Sequence, residues 1–183
     1  MNDLSVTLAV RDLSLDSIEA ATACGADGVV GRFRGLALHS HFQPIISLAH
    51  HRVVGYEGLL RPRAADGKAL APNHLFDAVD ADDEIVFLDR LARNLHVRNF
   101  VSAGQQEPWL FLNVNARVAM SGKTHGAYFE AMLARHGLPP HRVVIELVEN
   151  DIQDEALLGE AMRYYTELGC LVAIDDFGAG HSN

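Results

Sequence analysis

Seven oxygen-bearing side chains interrupt otherwise apolar stretches of this chain: Glu57, Asn113, Asn115, Glu146, Glu149, Asp175 and Asp176. Each falls within, or at the C-terminal end of, a segment that reads as a β-strand. Four carboxylates held within about 5 Å of one another would repel by roughly 3 kcal/mol per pair at an effective dielectric near 20, so such a cluster must be neutralised. Raised pKa values are one answer and bound divalent cations the other. An all-oxygen set with no Cys or His suits hard ions such as Mg2+, Mn2+ or Ca2+. The adjacent Asp175 and Asp176 could serve two ions ~3.5–4 Å apart, the arrangement of two-metal phosphoesterases. Taken singly, each residue has a plainer reading: a strand-end carboxylate can be solvated, cap the next helix or pair with an arginine. Recurrence at corresponding ends of successive strands is what favours a shared site.

The elements that must position these groups follow from periodicity. Residues 38–48 and 53–60 read as two strands joined by a turn at 49–52, an antiparallel hairpin. A polar turn at 65–68 leads to a short helix beginning near Asn73, its expected N-cap, and then to a longer helix over 83–100 with Leu88, Leu91, Ala92 and Leu95 on one face. A strand at 109–115, a helix at 126–136 closed by Gly137, a strand at 142–148, a helix at 154–168 and a strand at 170–174 complete the pattern. Strands that alternate with helices and are themselves nearly continuously apolar form a parallel sheet covered by helices, so the fold class is α/β. A doubly wound sheet and a β/α barrel both fit. In a barrel, the C-terminal strand ends converge on one face, and residues distant in sequence meet there.

Residues 1–34 read as a separate lead-in, with an alternating run at 4–10, a helix over 15–24 and a glycine-rich turn at 25–31. The glycines lack the Gly-Lys-Ser/Thr ending of a phosphate loop and the G-x-G-x-x-G spacing. The 183 residues carry a formal charge of −9, which argues against a partner such as long nucleic acid, whose binding rests on many Lys and Arg contacts. A small phosphate ester held through cations stays open. Cys24 and Cys170 are read as buried thiols of a reduced, cytoplasmic protein, and no apolar run reaches the ~20 residues of a membrane span. The ten histidines, among them His39, His41, His50 and His51, show no zinc spacing and are expected at the surface. Asp176-Phe-Gly178 stands without the other kinase motifs.

Five segments in order, Phe42-Gln-Pro-Ile45, Tyr56-Glu-Gly-Leu-Leu-Arg61, Asn113-Val-Asn-Ala-Arg117, Ile145-Glu-Leu-Val-Glu149 and Asp175-Asp-Phe-Gly-Ala-Gly180, resemble the signature series of EAL domains. The resemblance covers residues 35–183. It implies a (β/α)8 TIM-type barrel with an antiparallel first strand, here partial, and the hydrolysis of cyclic di-GMP to linear pGpG in bacterial signalling. It implies metal ligands at Glu57, Asn113, Glu146, Asp175 and Asp176 for a two-metal Mg2+ or Mn2+ site, with Glu57 and Asp175 catalytic through the metal. It also implies nucleotide contacts at Gln43 and Arg61. Three positions depart from the family pattern: Gly58 stands for the usual Ala, Val148 for Thr and Asn115 for Ser. The first is expected to be tolerated as small for small, though it loosens the strand, and the other two to alter hydrogen bonds around the ligands.

The family's later motifs, including a Lys near the attacking water and the general base, fall beyond Asn183. The domain is therefore expected to be C-terminally incomplete, a piece of a longer chain or a truncated product, and inactive alone. A homodimer through the loop after Asp176 and a sensory domain in a longer parent are further expectations from the resemblance. A non-catalytic module that binds cyclic di-GMP or a protein partner is the alternative function.

Overall fold

A computed structural model describes residues 11–25, 28–104, 107–115, 118–119, 126–148 and 155–175, without the side chains at 148, 155 and 175. The expected alternating run at 4–10, Glu149, Asp176 and the loop after it lie outside the described residues. The elements are α1 (Leu15–Ala20), β1 (Thr22–Gly25), β2 (Gly28–Phe33), β3 (Leu36–Ser47), β4 (Arg52–Arg63), α2 (Pro72–Asp77) and α3 (Asp82–Ser102). They continue as β5 (Trp109–Val114), α4 (Gly126–His136), a 3-10 turn at Pro140–Arg142, β6 (Val143–Val148), α5 (Glu155–Leu168) and β7 (Leu171–Asp175).

The strands form one sheet in chain order, β1 to β7. Pairings from β1 through β4 are antiparallel, and those from β4 through β7 are parallel. A doubly wound sheet reverses its strand order at a switch point; a β/α barrel adds each strand beside the last. The unbroken order therefore settles the choice for a partial TIM-type barrel whose first strand is antiparallel. The long β3–β4 hairpin is as the alternation predicts, with a register shift between Ile45 and Ile46 and His51 at φ 49° in its turn.

Four local expectations are corrected. The helix foreseen over 15–24 ends at Ala20, where Thr22 turns its hydroxyl onto the carbonyl of Glu19 at 2.7 Å. Thr22–Gly25 then pairs with β2, which leaves Cys24 exposed on the outermost strand rather than buried. The glycine-rich stretch is mostly strand, because Gly31 brings β2 so close to α3 that a methyl group there would stand 2.7 Å from Leu95. Asn73 is not an N-cap: Pro72, with φ fixed near the helical value, starts α2 one residue earlier, after Ala71. Gly137 does close α4, at φ 67°.

The core is built around α3, which packs on β2, β3, β4 and β5 on one side and on α1 and α4 on the other. Leu88, Leu91 and Leu95 are fully buried, as the helical spacing predicts, and Leu110, Leu112, Ile145 and Leu147 come from the parallel strands. Enclosure on both sides also buries five polar residues of α3: Asp89, Arg90, Arg93, Asn94 and His96. Cys170 is buried as expected, which pushes its thiol up to about 12. Among the described residues no helix is long and apolar enough to cross a membrane.

Candidate metal and nucleotide site

Strand register decides which of the predicted residues meet. Glu57 on β4 pairs with Gln43 of β3 on one side and Phe111 of β5 on the other. Asn113 lies two residues further along β5, on the same face by the strand period of two, and pairs with Glu146 of β6. Glu146 pairs with Ala173, and Asp175 ends β7 two residues on, its backbone beside Val148. The predicted ligand positions thus advance stepwise along neighbouring strands at one end of the sheet. Asn113 Nδ2 donates to Glu57 Oε1 at 2.9 Å, a direct contact across 56 residues of sequence. Glu146 is half-buried on the next strand, one spacing of about 4.8 Å away.

Among the described residues no three His, Cys, Asp or Glu side chains gather into a metal-binding cluster, and neither Asp175's carboxylate nor Asp176 is within the described set. The donors that are described fit a hard divalent cation in chemistry, since two carboxylates and an amide oxygen offer only oxygen. Asn113, with its Nδ2 on Glu57, keeps its carbonyl oxygen as an acceptor.

Glu57, Asn113 and Asn115 line a cavity of about 730 Å3, the size of a small-molecule site. Arg61 lies on its β4 wall; Asn73, Phe76 and Asp77 of α2 close one side, and Asp89 and His96 of α3 lie beneath. Arg61 Nη1 donates only to the neighbouring Leu60 carbonyl, at 2.9 Å, among its described hydrogen bonds. Gln43 faces Glu57 across the hairpin but is exposed and lies outside this lining.

The residues beneath the site are the ones sequence reading missed. Asp89 pairs with Arg93 one helical turn on and accepts from the Asn115 backbone N–H at 3.0 Å, tying α3 to the end of β5. His41, His50 and His51 are exposed as expected, but His96 is buried, its Nδ1 2.8 Å from Ser40 Oγ. Burial, aided by the nearby Arg61 charge, lowers His96 to about 3, so it is neutral at physiological pH. Unfolded, it takes up a proton near pH 6.5; folded, it resists until about 3. Protons therefore favour the unfolded chain, and the stability His96 contributes is complete above pH 6.5 and lost as pH falls toward 3. Urea unfolding at stepped pH should show this slope in the native chain and a shallower one in His96→Gln. Equal slopes would remove His96 as its source.

The fold and site together define a partial β/α barrel with a row of oxygen donors at its strand ends. The EAL domain profile matches residues 31–183, and the chain belongs to the EAL domain family. Over 144 residues it is 25% identical to the Escherichia coli K12 protein named "Probable cyclic di-GMP phosphodiesterase PdeB", covering 78% of this chain and 28% of that one. It therefore spans well under half of that relative. Among solved structures it resembles the Bacillus subtilis YkuI protein, with an EAL domain, in complex with cyclic di-GMP and calcium, at TM-score 0.67 and 28% identity over 80% of this chain and 37% of that one. It also resembles Klebsiella pneumoniae BlrP1 in its manganese and cyclic di-GMP complex, at TM-score 0.65 and 26% identity over 80% and 36% of the two chains.

Proposed function

We propose that this chain forms the metal- and nucleotide-holding part of a cytoplasmic cyclic di-GMP phosphodiesterase whose product is linear pGpG. The observation that carries the reading is the Glu57–Asn113 contact, beside Glu146 in register, at the wall of a cavity that also presents Arg61. Glu57, Asn113 and Glu146, with Asp175 and Asp176, would hold Mg2+ or Mn2+ as a two-metal site. Bound there, such ions would supply Lewis acidity toward the phosphodiester and acidify the attacking water. Arg61 offers the phosphodiester a planar, permanently charged donor. Gln43, outside the cavity lining, would reach the nucleotide from the hairpin rim. Asp89 and His96, at the floor of the cavity, hold the strands from below through Asn115 and Ser40. The relatives named above as a phosphodiesterase or solved with cyclic di-GMP support this substrate class.

The test is a calorimetric titration of the purified chain with cyclic di-GMP, in Mn2+ and in EDTA, followed by anion-exchange chromatography. Saturable binding that requires Mn2+ is expected. No pGpG is expected from the 183 residues, because the resemblance places the water-activating groups C-terminal to Asn183. Absence of binding with Mn2+ present would refute the reading. Formation of pGpG would show that the groups for turnover lie within these residues.

A further inference from the structure

Gly58 follows the proposed ligand Glu57 in β4 and lies on the opposite face of the strand, against His96 of α3 at the inner wall of the cavity. A methyl group on Gly58 would stand 2.8 Å from Cγ, 3.0 Å from Cβ and 3.2 Å from Cδ2 of His96. Cβ does not move when the side chain rotates, so rotation alone cannot clear the 3.0 Å contact. The ring is also held in place, with Nδ1 2.8 Å from Ser40 Oγ and an edge contact to Phe42 at 6.4 Å between centroids. His96 is 4% exposed, and swinging into the cavity beside it would give up both of these contacts. The strand would have to move instead, and it carries Glu57, whose carboxylate sits 2.9 Å from Asn113 on the opposite face.

We infer that Gly58 and His96 are a compensating pair in which the imidazole fills the space of the alanine methyl expected at position 58 and sets the depth at which β4 presents Glu57. His96 is then a positioning residue for the proposed metal site, and this role rests on the metal reading above. The glycine is no sign of a decaying motif and does not loosen the strand as expected from sequence, because the helix packs directly on it. Alanine at 58 is harmful here although it matches the family pattern.

Gly58→Ala, His96→Ala and the double variant separate this from general packing, read by thermal unfolding and by calorimetric Mn2+ affinity. Gly58→Ala should lower Tm by on the order of 5 °C and weaken Mn2+ binding about tenfold, as lost support behind a ligand does. In the double variant the methyl has room, so Mn2+ affinity should return to within about threefold of native, and Tm should lie above the value that adding the two single losses would give. If Gly58→Ala fails to fold, a folded double variant is the same rescue. An unfolded double variant, an unchanged Gly58→Ala, or strictly additive losses would overturn the pair. If the native chain binds no Mn2+, the metal reading and the positioning role fall together, while the unfolding cycle still decides whether the two residues compensate.

Discussion

Asp89→Ala is expected to cost the folded chain about 3–5 kcal/mol, the scale of breaking one side of a buried ion pair. Against a total stability of about 5–15 kcal/mol, that is enough to leave much of the chain unfolded. Both side chains of the Asp89–Arg93 pair are 2% exposed. Burial works against the Arg93 charge, but the Asp89 carboxylate, with smaller help from Tyr165 and Tyr128, more than offsets it and holds the guanidinium protonated. Removing Asp89 strands that charge against the Phe129 ring, 5.3 Å from its centroid, with the Tyr165 hydroxyl at 3.4 Å as a weak remaining partner. The Asn115 N–H loses its acceptor as well. Urea unfolding measures the loss. Asp89→Asn should fall between native and Ala, because the amide oxygen can still accept from Asn115 while the charge is gone. Asp89→Leu with Arg93→Met should regain most of the loss, since no lone charge remains in the core. A cost under about 1 kcal/mol for Asp89→Ala would mean that the site rests on something else.

The same pair shows where the sequence was readable and where it was not. The hairpin, the parallel strands and the glycine stop at Gly137 depend on neighbours along the chain, and their periods of two and 3.6 show in a single sequence. The strand-end oxygens were visible for the same reason, because a polar residue is conspicuous in an apolar strand. The buried polar residues of α3 depend on partners that no local pattern names: Asn115 for Asp89 at 26 residues' separation, Ser40 for His96 at 56, Tyr165 for Arg93 at 72. On a helical wheel they look like a solvated face, and only the packing of α3 between the sheet and the layer of α1 and α4 makes them interior. Cys24 differs for another reason: a free thiol is usually interior, but α1 stops at Ala20 and Thr22–Gly25 pairs as the outermost strand, where the thiol is exposed. Gly58 was legible as a departure but not as a fit, since its meaning lies in a side chain 38 positions further on.

Glu57→Ala is expected to weaken Mn2+ binding by about 100-fold or more, beyond the roughly 10–100-fold that follows loss of supporting hydrogen bonds around a metal. Glu57 would supply both an anionic oxygen and the acceptor that orients Asn113, so one truncation removes a ligand and frees a second. Stability of the metal-free chain should move the other way or not at all. Glu57 and Glu146 sit on one face of neighbouring parts of the sheet, and without an ion their like charges oppose each other. Glu57→Gln keeps the shape and an oxygen for Asn113 while dropping the charge. It should unfold in urea no earlier than native, yet bind Mn2+ nearly as poorly as Glu57→Ala. This opposition between binding and stability marks a site held together by its ion, and a core residue such as Asp89 cannot produce it, because there both readouts fall together. If Glu57→Gln keeps native Mn2+ affinity, the ligand set lies elsewhere on the strand ends. If it unfolds the chain, Glu57 serves the fold and the metal reading loses its central residue.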